Sequence, residues 1–327
     1  MRVLVTGASG LLGAEVARRL DRRGDDVTVM QRRPSGLGLR ERLGDVSDAA
    51  AVRAAVSGQD AVVHLAAKVH IVGAWSDYFA ANVVGTTNVV TSARQAGVTR
   101  LVQVSSPSVA HSGSSLVGEP AAPADPDHAR GPYSRSKALA ERVALGAAGD
   151  SLGVVAVRPH LVWGPGDTQL VERIVARARA GRLTVVGRGT ALIDTTYLDN
   201  AAEAIVAALD RAPQASGQAF VVSNGEPRPV QEILTSLCRA AGVPGPRRHV
   251  PYRLAWTVGA AVDTWWRIAD RQDDPPITRF LAEQLATAHW FDQRQTREVL
   301  QWTPEVGLDE GFERLAAWFR DGMSRAH

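Results

Sequence analysis

One stretch constrains this chain more than any other: VLVTGASGLLGAEVARRL, residues 3–20, with Gly7, Gly10 and Gly13 between a β-branched run and an amphipathic pattern. Strand, glycine turn and helix in that order make a phosphate cradle. Gly7 permits the tight turn, Gly10 lets backbone approach a pyrophosphate, and Gly13 allows close helix–strand packing. The helix N-terminus then turns its unpaired N–H groups and dipole toward the anion. A fold that begins this way is a parallel sheet covered by helices on both faces.

The rest of the first half agrees. Short β-branched runs (RVLVT, DVTVM, AVVHLA, LVQVSS, VVAVRP) alternate with helical patterns near 11–23, 76–96 and 133–148, the signature of an α/β, Rossmann-type doubly wound sheet. Residues 107–132 are rich in Pro, Gly, Ser and Ala without apolar period and read as a long surface loop. Beyond residue 165 come a helix (LVERIVARARAG), strands at LTVVG and IDTTYL, a helix (NAAEAIVAALDR), a strand (AFVVSNG) and mixed helices. The expected organisation is a dinucleotide-binding domain over 1–165, rejoined by 192–223, and a smaller C-terminal α/β substrate domain within 166–327.

The 45% apolar and 22% charged fractions are those of a globular protein. The net charge of +3 and the lack of a long basic run give no nucleic-acid surface. The single Cys238 excludes an intrachain disulfide, fits a reducing cytoplasm and reads as a buried structural thiol. MRVLV leads straight into a strand, so no signal peptide is read, and LAWTVGAAV is too short to span a bilayer. A soluble or at most peripheral protein is expected.

The second strand ends TVMQRRP, without the carboxylate that accepts from a ribose 2′-OH in NAD sites. Arg32 and Arg33 instead suit a 2′-phosphate through paired, charge-assisted bonds, so NADP(H) is expected; an arginine-rich surface loop is the bland alternative. In GDVSD, Asp45 could accept from an adenine amino group beside the Val46 amide, while Ser47 and Asp48 could equally cap a helix.

Of 37 basic residues only Lys68 and Lys137 are lysines. Lys137 follows Tyr133 by one helical turn in GPYSRSK, so both project from one face. A phenol near its ordinary pKa of about 10 is a poor acid at neutral pH. A neighbouring ammonium stabilises its anion and makes it a usable proton donor. The compact head of lysine can also hold ribose hydroxyls, which a planar fork would address differently. SSPSV places Ser105, Ser106 and Ser108 at the carboxyl end of a central strand, where a hydroxyl can hold a substrate oxygen.

These motifs, with DAVVHLAA, NVVGTTNV, RPHLVWGPGD and YLDNAAEA, resemble in order and spacing the extended short-chain dehydrogenases/reductases over essentially the full chain. Within that family they are similar to the 3β-hydroxysteroid dehydrogenase branch and look closest to the bacterial 2-alkyl-3-oxoalkanoate reductases of long-chain olefin biosynthesis. The resemblance implies a reductase with Ser106 (second choice Ser105) as catalytic hydroxyl, Tyr133 as acid, and Lys137 positioning ribose and phenol. It implies cofactor contacts at Gly7, Ser9, Gly10, Leu11, Leu12, Gly13, Leu65, Ala66, Ala67 and Pro159, besides Arg32, Arg33, Asp45 and Val46. Asn82 takes a helix-packing and strand-bonding role. A homodimer through the helices near 76–96 and 133–148 is expected, with room for a complex with pathway enzymes.

For a lipid-like β-keto acid substrate, Lys68 is the candidate partner of the carboxylate, a salt-bridged surface lysine being the alternative. His70, Ser108, His160 and Trp163 are nearby candidates. Trp256, Trp265 and Trp266 suit either a lid or interfacial helix or plain packing, and Trp302 and Trp318 suit core packing. Rival readings are a 3β-hydroxysteroid or sterol dehydrogenase, a sugar-nucleotide epimerase, and a non-catalytic NADP-binding sensor or scaffold. No metal site is read.

Overall fold

The computed structural model describes residues 1–69, 73–110, 115–269 and 278–324. Seven strands, β1 (Arg2–Thr6), β2 (Asp26–Gln31), β3 (Arg40–Leu43), β4 (Ala61–His64), β5 (Arg100–Val104), β6 (Gly153–Pro159) and β7 (Ala219–Val222), form one sheet. All are parallel, in the order β3-β2-β1-β4-β5-β6-β7. The order reverses between β1 and β4, and a parallel sheet opens a crevice at its carboxyl edge at such a switch point. Near-continuous apolar strands such as Val3–Val5 and Val154–Val157 are buried on both faces, as helix-covered strands must be. Helices Leu11–Arg22 and Leu198–Arg211 cover one face, and Ala49–Val56, Gly85–Gln95 and Gly131–Leu145 the other.

The helical run from Trp75 to Gln95 contains a π-helical turn at Phe79–Val84, which the sequence pattern does not show. Such turns cluster at functional sites, and this one carries Asn82.

The substrate side holds a four-stranded sheet, Arg228–Pro229, Leu192–Ile193, His289–Phe291 and Leu116–Glu119, with helices Val171–Arg179, Val230–Ala240, Tyr252–Ile268, Arg279–Ala286 and Leu308–Ser324. Two expectations change here. The surface loop over 107–132 contains the strand Leu116–Glu119, recruited by pairing with His289–Phe291. Gly118, at φ +67°, leaves the space that the Trp290 ring fills. Within 192–223, Leu192–Ile193 pairs in the substrate sheet and Thr196–Tyr197 pairs with Val162–Trp163 in a separate two-stranded sheet, while the helix Leu198–Arg211 packs on the main sheet and Ala219–Val222 joins it.

Trp302 packs into the main-sheet core, whereas Trp318 is 44% exposed near the end of its helix, against the expectation of core packing. Cys238 is fully buried, and burial raises its thiol pKa. Among the described residues no helix is long and apolar enough to cross a membrane.

Candidate active site

A cleft of about 2280 Å³ runs from the glycine turn along the carboxyl edge of the sheet into the substrate side. That exceeds the few hundred to 1,000 Å³ of a single-ligand pocket. There is room for a dinucleotide and a second large molecule together.

Gly7 adopts φ +79°, and a Cβ there would lie 2.7 Å from the Ala66 nitrogen. A Cβ at Gly13 would collide with the Gly7 carbonyl, so helix and turn touch backbone to backbone. At Gly10 the nearest atom would be 3.5 Å away. Gly10 precedes the helix Leu11–Arg22 without a side-chain cap, so its first N–H groups keep their capacity for an anion. The turn fits a pyrophosphate. Ser9, Leu11, Leu12, Leu65, Ala66, Ala67 and Pro159 line the same cleft.

At the adenosine end no carboxylate closes the second strand. Gln31 is buried and donates to Glu41 Oε1 at 3.0 Å, and Glu41 is occupied by the Ser35 amide (2.7 Å) and hydroxyl. Arg32, with its side chain 80% exposed, reaches within 3.9 Å of Asp45, and both Arg32 and Arg33 line the cleft. Asp45 accepts from the Ser47 amide (2.9 Å) and hydroxyl (2.8 Å). Those bonds, with Arg32 nearby, hold its carboxyl below the usual range despite partial burial. Val46 is buried and lines the cleft beside it. Asp48 caps the helix Ala49–Val56, accepting from the Ala50 and Ala51 amides.

The helix Gly131–Leu145 carries Tyr133 and Lys137 over the end of β5. The Tyr133 phenol lies by Ser106 in the cleft; burial pushes its pKa up and the Ser106 side chain draws it back. Ser106 Oγ lies 3.0 Å from Ser108 Oγ, while Ser105 is buried under the strand end with its amide on the Val157 carbonyl. Ser106 is therefore the serine that meets the phenol. Lys137 is 4% exposed and donates to the Val104 carbonyl at 2.5 Å. Burial pulls its pKa down to about 8, with Glu141 opposing the shift. The short three-donor head fits between strand end and cleft, where a guanidinium would be wider.

Two buried polar systems hold this group in place. In the first, the Ala66 amide donates to Thr6 Oγ1 (3.1 Å), and Thr6 Oγ1 lies 2.6 Å from His64 Nδ1. His64 Nε2 is 3.1 Å from Thr86 Oγ1, whose proton goes to the Asn82 carbonyl. Those donors assign the Nε2–H tautomer, and burial, with the Lys137 charge, keeps the ring neutral by pushing its pKa down to about 3. Asn82 in turn binds the Lys68 amide (2.7 Å) and Ser136 (2.9 Å), and Ser136 donates to the Tyr133 carbonyl. One hydrogen-bonded chain thus links the glycine turn to the helix that carries Tyr133. In the second, Arg158 and Glu141, each at most 1% exposed, form a bidentate pair, and Arg158 also holds the Ala122 carbonyl. His64, Thr6, Glu141 and Arg158 lie outside the sequence motifs, and a lone polar residue inside VVH and VVAVR is the signal that His64 and Arg158 carry.

On the substrate side Lys68 donates to Asp77 at 2.6 Å and lies 5.2 Å from the Tyr78 ring centroid. The salt-bridged alternative is what the geometry contains. His160 and His289 line the cleft with ring centroids 6.3 Å apart, and Ser108 lines it beside Ser106. Trp163 reaches the cleft wall but is fully buried, stacked on Phe312 and donating to Thr195. His70 lies outside the described residues. Asp194, whose amide donates to the His289 carbonyl, is buried with its pKa raised to about 6 by desolvation, and Ser223 donates to it.

A parallel seven-stranded sheet, a glycine turn at its switch point and a Tyr–Lys–Ser group at the end of its central strand define a nicotinamide-dinucleotide fold. The chain belongs to the NAD dependent epimerase/dehydratase family, whose model matches residues 3–223. It is 42% identical to the 2-alkyl-3-oxoalkanoate reductase of Stenotrophomonas maltophilia, over 97% of this chain and 99% of that protein. It is 37% identical to the 2-alkyl-3-oxoalkanoate reductase of Shewanella oneidensis, over 96% and 85% respectively. Among solved structures it is similar to MoeE5 in complex with UDP-glucose and NAD, with a TM-score of 0.76 and 25% identity over 99% of this chain and all of that one.

Proposed function

We propose that this protein is an NADPH-dependent reductase that converts a hydrophobic 2-alkyl-3-oxoalkanoic acid to the 3-hydroxy acid, in long-chain olefin biosynthesis. The observation that carries the reading is the gathering of Tyr133, Ser106 and the buried Lys137 on one wall of the cleft, with Lys137 anchored to the end of β5. Tyr133 enters the reaction protonated, and because burial raises its pKa it needs stabilisation of its anion to become a usable donor. Ser106 orients the ketone oxygen toward the phenol, and the Lys137 ammonium stabilises the phenolate left behind. When bound, the dinucleotide supplies the hydride; Gly7, Gly10 and Gly13 would seat its pyrophosphate and Arg32 and Arg33 its 2′-phosphate. The substrate class is supported by the full-length likeness to two reductases of that name and by the apolar wall that Leu254, Val258 and Leu285 give the cleft.

Tyr133→Phe is expected to lower turnover by ~10²–10⁴-fold while dinucleotide affinity, read by NADPH fluorescence, is unchanged. NADPH oxidation across 2-alkyl-3-keto acids, ketosteroids and UDP-sugars should select the first group; preference for either of the others refutes the substrate. Arg32→Ala should weaken NADPH by about tenfold, the loss of roughly one charge-assisted contact, and leave NADH alone.

A further inference from the structure

We propose that Glu283 is a positioning residue that clamps the apolar lid of the cleft to the catalytic helix and so sets the preference for long alkyl chains. The proposal deepens the reductase reading and rests on it for its substrate. Glu283 sits on the helix Arg279–Ala286 and is 5% exposed. Both its carboxylate oxygens accept from Arg130 Nη1 at 2.7 Å, and Oε1 also accepts from Trp256 Nε1 at 3.0 Å. Arg130 is the residue before the helix that carries Tyr133, and Trp256 belongs to the helix Tyr252–Ile268. One buried acid therefore joins three elements.

The two lid helices are also closely packed on each other. A Cβ at Gly259 would lie 2.6 Å from the Arg279 nitrogen, so at that crossing no side chain separates them. Their apolar residues Leu254, Ala255, Val258 and Leu285 face the cleft, yet Leu254 and Val258 remain 53% and 44% exposed. An alkyl chain leaving a ketone held at Tyr133 would cover them. How well it does so depends on the separation between lid and proton donor, and the Glu283–Arg130 pair spans that separation. Only the Glu283 side of the pair is buried, the Arg130 side chain being 38% exposed; partly exposed pairs contribute little stability, which favours a geometric purpose for this one. A short acid that never reaches the lid would not sense it.

Glu283→Gln keeps the size of the side chain and an acceptor for Trp256 but removes the charge. In NADPH-oxidation assays, KM for a long-chain 2-alkyl-3-oxo acid should rise about tenfold, as expected for losing a hydrogen bond to a charged group, with kcat held within about twofold. The short 2-methyl-3-oxobutanoate should keep both constants within about twofold, Glu283→Asp should recover part of the loss, and Arg130→Glu combined with Glu283→Arg should recover less, since it restores the ion pair but leaves the Trp256 N–H without its acceptor. Equal losses on long and short acids, or no change on either, overturn the clamp. If the wild-type protein reduces neither acid, the substrate reading has failed, and amide exchange decides the clamp by itself. Faster exchange across Tyr252–Ile268 in Glu283→Gln, with the main sheet unchanged, supports it, and unchanged exchange there overturns it.

Discussion

The catalytic end of the cleft and its lid use polar and apolar side chains in opposite ways. At the catalytic end His64, Asn82, Lys137, Glu141 and Arg158 are all at most 4% exposed, each held by partners on another strand or helix. At the lid, Leu254, Val258 and Trp265 stand 44–53% exposed on one helix, to which the buried Glu283 is bonded through Trp256. Buried hydrogen-bonded groups fix atoms to within a narrow range of positions, while weakly packed apolar surface opens locally at low cost. Proton transfer needs the first kind of construction and chains of varied length need the second. On the proposed function, the difference would separate where the reaction is controlled from where the substrate is chosen.

The contrast breaks most visibly at the Arg158–Glu141 pair. Glu141→Ala leaves a guanidinium buried without its acid, and should cost about 3–5 kcal/mol in urea unfolding. Replacing both residues with leucine and methionine should recover most of that loss; a cost below about 1 kcal/mol for the single variant would show that the catalytic end is not rigidly supported.

The next effect is in pH. The Lys137 ammonium, with a pKa near 8, is lost as pH rises, while Tyr133 stays protonated. For reduction, kcat/KM should therefore decline above about pH 8, and Lys137→Arg should remove that limb at a lower plateau. The same shift means the unfolded state binds more protons than the folded one from about pH 8 up to the ordinary lysine range, so this residue makes stability rise with pH there.

The smallest effect is at the lid. Leu254→Ser should change unfolding free energy by no more than about 0.5 kcal/mol and should raise KM for long-chain acids only. A larger destabilisation would mean that the lid is core after all.

The sequence made the catalytic end legible because its chemistry is local. Gly7 to Gly13 lie in one turn and Tyr133 to Lys137 in one helical turn, so spacing alone puts them on one face. Ser106 and Ser105 were separated only by the structure, since which hydroxyl meets the phenol depends on how β5 ends against the catalytic helix. Lys68 lines the cleft as its place after β4 suggests, but its partner Asp77 lies on the helix Trp75–Tyr78, and no spacing in the sequence ties the two together. The strand Leu116–Glu119 and the Glu283 contact with Arg130 join residues more than 150 positions apart in the chain. Tertiary pairing decides such features, and periodicity has no access to them.

The scarcity of lysine has a practical side. Among the described residues the chain carries three primary amines: Met1, paired with Asp25 at 2.7 Å, Lys68 at the cleft rim, and Lys137 within it. An acylating reagent supplied at limiting amount would find almost nothing to attack on the outer surface, so the order in which the three sites become labelled, with and without nucleotide, would report directly on access to the reaction chamber.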